Sequence, residues 1–363
     1  MALDKTITSL LITTQLLFAQ DHCASKLTCS PKIAQNCNED SSQSTQEPPL
    51  LITGYNYPAC PQIRYSWNLY LDASFIYWQP VQENMEIVFS SKTPPPILNG
   101  MMVNMDFDYK PGFKLGIGSY FDYDHWDLYA EYTWFHCNQN QSVKVLPNGE
   151  LYSIWQHPTA QSYLTNDHEN WNLKIDIGDL DLGRWGYVGK NFIIRPFFGT
   201  RAAWIRQNAK IISTLGPTFV SSVVTVKYHS WGLGAKTGVD TEWKIASGFK
   251  ALGRAEADLL VTNYSGLSFD SILPFSPVDN IKIKQKNITV VKPHLDLQLG
   301  LGWSTYLDCN NWHLDFSATY EFQVFFNQNM FRHFQDHVMT GNSRLPNGNL
   351  YIQGLNLSTK LDF

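Results

Sequence analysis

The stretch from Pro293 to Phe326 constrains the fold more than any other. Leu295, Leu297, Leu299, Leu301 and Trp303 alternate with His294, Asp296, Gln298, Gly300, Gly302 and Ser304. After Asp308-Cys309-Asn310 the pattern resumes, with Trp312, Leu314, Phe316, Ala318, Tyr320 and Phe322 set against His313, Asp315, Ser317, Thr319 and Glu321. A period of two means strands, because successive side chains leave opposite faces of the pleat. Soluble antiparallel strands typically run about five to six residues, and both arms here are far longer. Aromatics near both ends of the apolar face, with small and charged residues on the other, fit lipid outside and water inside. A turn centred on Asp308-Cys309 would set Trp303 opposite Leu314, Leu301 opposite Phe316 and Asp296 beside Glu321.

Similar alternations recur along the chain. Trp67, Leu69, Leu71, Ala73, Phe75 and Tyr77 share one face of a first strand beginning near Tyr65, which could continue through Met85–Phe89 to Pro94-Pro95-Pro96. Val103, Met105, Phe107, Tyr109, Phe113, Leu115 and Ile117 mark a second, and Trp126, Leu128, Ala130, Tyr132 and Trp134 a third. The segment from about Cys137 to Asn170 reads as a long, polar, irregular connection. Trp171, Leu173, Ile175 and Ile177 follow, then Phe192, Ile194, Phe198, Ala202 and Trp204. Beyond Val224, Val226 and Tyr228 the apolar phase changes near His229, which suggests a bulge. Trp231, Leu233, Ala235, Val239 and Trp243 then turn through Ala246-Ser247-Gly248 into Phe249, Ala251, Ala255, Ala257, Leu259 and Val261. If Ile245 faces Phe249, Asp240 lies opposite Arg254 and Lys236 opposite Asp258, two favourable cross-strand pairs.

Short turns at 122–124, 246–248 and 308–310 and a link near 183–189 alternate with mostly longer segments at 91–101, 137–170, 271–284 and 331–348. Leu215-Gly216-Pro217 is the one short outer connection. The alternation predicts an all-β fold: an antiparallel transmembrane barrel of ten strands, or twelve if Gln79-Pro80 and Pro111-Gly112 divide the first two. Tyr351, Leu355, Leu357, Leu361 and Phe363 form a terminal amphipathic strand ending in Phe. That ending resembles the signal read by the outer-membrane assembly machinery, an expected partner along with outer-membrane lipid.

Residues 1–19 have the pattern of a secretory signal: Lys5, an apolar run from Ile7 to Phe18, and Ala19 as a cleavage position. Export permits disulfides. Cys23, Cys29, Cys37 and Cys60 fall in a polar segment, 20–64, that reads as a flexible periplasmic extension. Cys137 and Cys309 lie within the barrel region, 65–363. The cysteines of the extension could pair among themselves, with Cys309, or with another envelope protein. The absence of any CxxC weakens zinc, and Gln20-Asp21-His22 before Cys23 lacks the small residues of a lipoprotein site.

Of 363 residues, 44% are hydrophobic and only 16% charged, yet the mean hydropathy is -0.24. Alternating faces cancel in such an average, and no apolar run long enough for a spanning helix follows the first twenty residues. A net charge of -5 gives no reason to expect nucleic acid.

Several stretches carry a family resemblance: Asp179-Leu180-Asp181-Leu182-Gly183-Arg184, Tyr187-Val188-Gly189, and the run from Arg195-Pro196-Phe197-Phe198-Gly199 to Gln207. Tyr109–Gly118, Trp126-Asp127-Leu128-Tyr129 and Leu295–Trp303 add to it. From about residue 65 to 363 the chain resembles the MOMP-like porins of chlamydia-related bacteria, similar to the Legionella major outer membrane protein. The resemblance implies an abundant porin-type barrel, disulfide-linked into the envelope in some cases, with no catalytic residues to carry over.

The expected function is passive diffusion of small hydrophilic solutes and ions. Alternation nominates Lys114, Glu131, Arg195, Arg201, Lys236, Asp240, Arg254, Asp258, Asp296 and Glu321 as pore-facing, with Arg195 and Arg201 part of a positive strip. No cofactor or metal is expected, and homo-oligomers are suggested only by analogy with other porins. Ten strands leave little room, since eight give an interior about filled by side chains. The alternative is a structural or adhesive surface protein with a closed or plugged barrel. His294 with Asp296, or His313 with Asp315, could suggest a catalytic dyad, but no serine sits in a nucleophile motif, so no enzyme is expected.

Overall fold

The computed structural model describes residues 59–363 apart from 65, 93–98, 123–124, 148, 157–162, 217–219, 273–279, 335–342 and 346. The expected signal, most of the cysteine-bearing segment, and Cys23, Cys29 and Cys37 lie outside the described residues. Ten long strands form the wall: β1 (Leu69–Gln82), β2 (Lys110–Tyr120), β3 (Trp126–Lys144), β4 (Leu164–Arg184), β5 (Phe192–Leu215), β6 (Ser221–Ala246), β7 (Phe249–Ile272), β8 (Ile288–Leu307), β9 (Trp312–Phe325) and β10 (Leu350–Asp362). Each pairs antiparallel with its neighbours in sequence, and β10 closes on β1 from Tyr70↔Asp362 to Gln82↔Leu350. Closure removes both edges, so the backbone groups of the wall are satisfied within it.

The count is ten, not twelve, because neither proline pair divides a strand. Pro111 is the second residue of β2, and Pro80 sits where the β1–β2 ladder has already ended at Trp78↔Lys110. A missing N–H costs little at such positions. Glu86–Phe89 and Val103, by contrast, belong to short strands, Glu86–Ser91 and Gly100–Asn104, that pair with each other, and Met85 lies just before the first.

Both hairpins expected from the sequence form. In β6–β7, Asp240↔Arg254 and Lys236↔Asp258 stand as expected, although Phe249 pairs with Ala246 and not with Ile245. In β8–β9 the register differs: Trp303 faces Phe316, Leu301 faces Ala318 and Asp296 faces Gln323. The connection is four residues long, with Asp308, Cys309 and Asn310 all at positive φ (48°, 55° and 70°). This moves the centre of the hairpin by one residue. Cross-strand partners then change by two positions, and every side chain keeps its face.

Strand lengths explain a second difference. A barrel strand needs roughly 9–11 residues to cross the bilayer, but β3 to β7 are about twice that. On β5 the outward face is apolar from Phe192 to Trp204 and then becomes Arg206, Asn208 and Lys210. On β6 it is apolar from Trp243 back to Trp231, then polar at His229 and Lys227. Trp204 faces Trp231 and Phe192 faces Trp243, so the same aromatic boundaries run across both strands, as girdles do at a lipid interface.

Beyond the upper boundary the code inverts. Trp171, Leu173, Ile175 and Ile177 point inward and are buried, as are Val224, Val226 and Tyr228, while Asn170, Asn172 and Lys174 point out. The change of phase near His229 therefore marks the exit from lipid. The β5–β6 ladder runs through it without a break, and the irregularity lies on β7, where Gly266 at φ +64° carries an extra residue. The same inversion corrects the long polar connection at 137–170. β3 continues to Lys144 and β4 begins at Leu164, because a strand wetted outside and packed inside looks polar in sequence.

Candidate functional site

The lumen has two halves of different chemistry. The half nearer Ala59 and Phe363 is ionic. Arg195 grips Asp127 through Nε and Nη2 (2.9 and 2.7 Å) and reaches Asp240 with Nη1 at 3.0 Å; Asp240 also pairs with Arg254. Arg201 holds Asp179 in a two-pronged pair (2.8 and 2.7 Å) and contacts Asp258 (2.8 Å) and Glu256. Lys236 lies 3.0 Å from Asp181 and 3.1 Å from Glu256, and Lys114 donates to Glu321 at 2.8 Å. Bidentate guanidinium–carboxylate geometry satisfies the donors of a buried arginine in a way a lysine cannot.

All ten sequence-nominated residues face this interior. Glu131 stands 3.9 Å from Lys114, and Asp296 receives only a long contact from Gln298. The expected positive strip is neutralised, since Arg195 and Arg201 are each enclosed by carboxylates. Asp127, Asp179, Asp181, Glu256, Lys250, Asp315, Lys360 and Asp362 complete the network without having been nominated. Parity alone could have found them: Asp179 and Asp181 alternate with outward Leu180 and Leu182, and Lys360 and Asp362 with Leu361 and Phe363. The imidazoles also pair differently from the expected dyads, His294 with Asp258 and His313 with Asp362, both at 2.7 Å. Donor atoms of Glu256, Asp258 and His294 lie close enough to hold a metal ion, but Arg201 already pairs with both carboxylates and Lys236 with Glu256.

Within this network the lumen keeps open space. A cavity of about 180 Å³ reaches Asp72, Glu131, Arg254 and Ser358. A second of about 240 Å³, sharing Trp185, Lys250 and Lys360 with the first, opens at the mouth. The chain entering β1 crosses that mouth: Ala59 N–H donates to the Trp185 carbonyl (3.2 Å) and Arg64 N–H to that of Asn310 (2.8 Å). Cys60 lines the opening, and burial, reinforced by nearby Asp127, pushes its thiol up to about 11. Cys60, Cys137 and exposed Cys309 are all free thiols.

The outer half is filled. Trp78, Phe135, Trp171, Tyr228, Tyr264 and Phe269 project from the wall and are fully buried. The connection after β9 dips between them, burying Gln328, Asn329, Met330 and Phe331. Phe331 packs on Tyr228 (ring centroids 5.2 Å) and on Trp155 from the β3–β4 connection (6.1 Å). Tyr228 and Tyr264 donate to the Gln328 carbonyl and side chain at 2.6 and 2.8 Å, pinning the dipped segment.

A closed antiparallel barrel with a lipid-facing apolar belt and an ionic interior defines an integral outer-membrane β-barrel protein. The chain belongs to the Legionella pneumophila major outer membrane protein family, whose model matches residues 59–363. No curated protein matches it. Among solved structures, it is similar to the outer membrane protease OmpT from Escherichia coli at 10% identity and TM-score 0.45, with 82% of this chain and 97% of that chain covered. The translocator domain of the autotransporter NalP from Neisseria meningitidis aligns at 13% identity and TM-score 0.31, covering 82% and 88%. A Pseudomonas aeruginosa FadL homologue aligns at 9% and 0.28, covering 81% and 89%.

Proposed function

We propose that the protein is a porin-type channel for small hydrophilic solutes and ions, held here in a closed state. The observation supporting this reading is the charged half-lumen, whose cavity shares Trp185, Lys250 and Lys360 with a second cavity at the mouth lined by Ala59 and Tyr306. Burying ionised groups is costly unless they are paired or solvated, and this interior supplies ion pairs beside space large enough for water. Part of the outer closure comes from connections: Trp155 and the dipped segment from Gln328 to Phe331. Loops move more readily than wall strands.

A permanently closed structural barrel is the second reading. The fully buried wall aromatics favour it, because they would still narrow the lumen if both connections withdrew.

Single-channel recording in planar bilayers across a salt series separates the two, using refolded wild type and the W155A/F331A double variant. The channel reading expects steps that grow with salt and become larger or more frequent in the variant. Folded, heat-modifiable barrels giving no steps in either form would sink it in favour of the structural role.

A further inference from the structure

The geometry points to a calcium site at the outer end of the lumen, built on Asp167 and Glu169. The two residues stand two apart on β4, so their side chains leave the same, inward face. Both are fully buried. Asp167 Oδ1 accepts a hydrogen bond from Ser213 Oγ at 2.6 Å, but Asp167 Oδ2 and both oxygens of Glu169 have no partner.

Apart from Asp296, which receives only a long contact from Gln298, most other buried carboxylates of this lumen are treated differently. Asp127, Asp179, Glu256, Asp258 and Glu321 each face an arginine or lysine. Among the described residues no such cation pairs with Asp167 or Glu169. A buried carboxylate pair without a counter-charge is strongly disfavoured, and a bound cation or a proton must supply the compensation.

The neighbouring strands supply a second, independent sign of a ligand. Ser213 lies across from Ser222 on β6, and Ser222 is fully buried with an unpartnered hydroxyl. The free atoms of Asp167, Glu169 and Ser222 are all oxygens: carboxylates first, a hydroxyl second. Nitrogen and sulfur ligands, which would suit zinc or copper, are absent from the set. Calcium accepts six to eight oxygens in an adaptable geometry, with carbonyls and water completing the shell, whereas magnesium demands a near-regular octahedron. Two carboxylates neutralise one divalent ion, and the ion would tie β4, β5 and β6 together where they rise clear of the membrane.

The test is calcium binding to the refolded full chain in lipopolysaccharide-free detergent after chelator treatment, followed by equilibrium dialysis and thermal unfolding. Wild type is expected to bind one calcium ion saturably, more tightly than magnesium, and to melt at a higher temperature with calcium than with chelator. D167N and E169Q should each weaken binding by more than the roughly 10- to 100-fold that follows loss of a residue merely supporting a ligand. In chelator, E169Q should melt above wild type, because it removes an uncompensated charge. Absence of saturable calcium binding to wild type overturns the proposal even if a variant fails to fold. So does unchanged binding in the variants, or a preference for magnesium.

Discussion

Trp204 and Trp231 face one another across β5 and β6, and the outward surface changes character at that pair. Toward Phe192 and Trp243 it is mainly apolar, and beyond it come Arg206, Asn208 and Lys227. The same pair marks the level where the interior changes from ion pairs to packed aromatics. One strand thus runs through two environments, lipid outside with paired charges inside, then water outside with a hydrophobic core inside.

That boundary can be tested with a charge. Leu299 points outward in the middle of the β8 belt and is 72% exposed. Leu299→Arg should cost about 2–4 kcal/mol, the penalty for a basic residue near the bilayer midplane. Asn208→Arg, outward but above Trp204, should change stability by no more than about 0.5 kcal/mol. Urea unfolding in lipid vesicles would compare them, and equal costs would refute the placement of the belt.

Arg201 is the hub of the ionic lumen. Arg201→Met should destabilise the barrel by about 3–5 kcal/mol, because Asp179, Glu256 and Asp258 lose a shared cation inside the barrel. Adding D179N should restore part of the loss by removing one stranded charge. A double variant no more stable than R201M would show that the network does not couple these residues.

Gly266 carries the β7 irregularity at φ +64°, with the ring of His229 3.1 Å from where a Cβ would stand. Gly266→Ala should cost about 1–2 kcal/mol from left-handed strain alone. A neutral result in equilibrium unfolding would place the extra residue elsewhere.

Cys60 and Cys309 should differ in reactivity. Cys309 is exposed, whereas the Cys60 thiol, raised to about 11 by burial, is almost wholly protonated at pH 8. Since the thiolate is the nucleophile, iodoacetamide should label Cys60 slowly at pH 8 and increasingly as pH climbs toward 11. Peptide mapping by mass spectrometry reads both sites in one sample. Equal rates at pH 8 would contradict the docking of the 59–64 segment across the mouth.

Much of the wall was legible from period-two alternation, and so was the inward orientation of residues such as Lys114, Arg195 and Glu321. A face assigned by parity survives an error in register, which is why the β8–β9 hairpin kept its lipid side although its partners moved. What misled was the rule that the apolar face meets lipid. Trp171, Leu173 and Val224 obey the same alternation with the opposite meaning, because burial inside a filled barrel and burial in lipid select the same side chains.

The sequence by itself left the count at ten or twelve strands but determined the antiparallel barrel wall, its belt between aromatic girdles and the parity of the charged residues. These follow from short-range periodicity, which needs no knowledge of partners. Only the tertiary structure decided which charges neutralise each other, that the outer lumen is packed with aromatics, and that Gln328–Phe331 folds into it. Those outcomes depend on residues far apart in sequence that meet across the lumen, as Lys114 meets Glu321. Alternation along single strands carries no record of such distances.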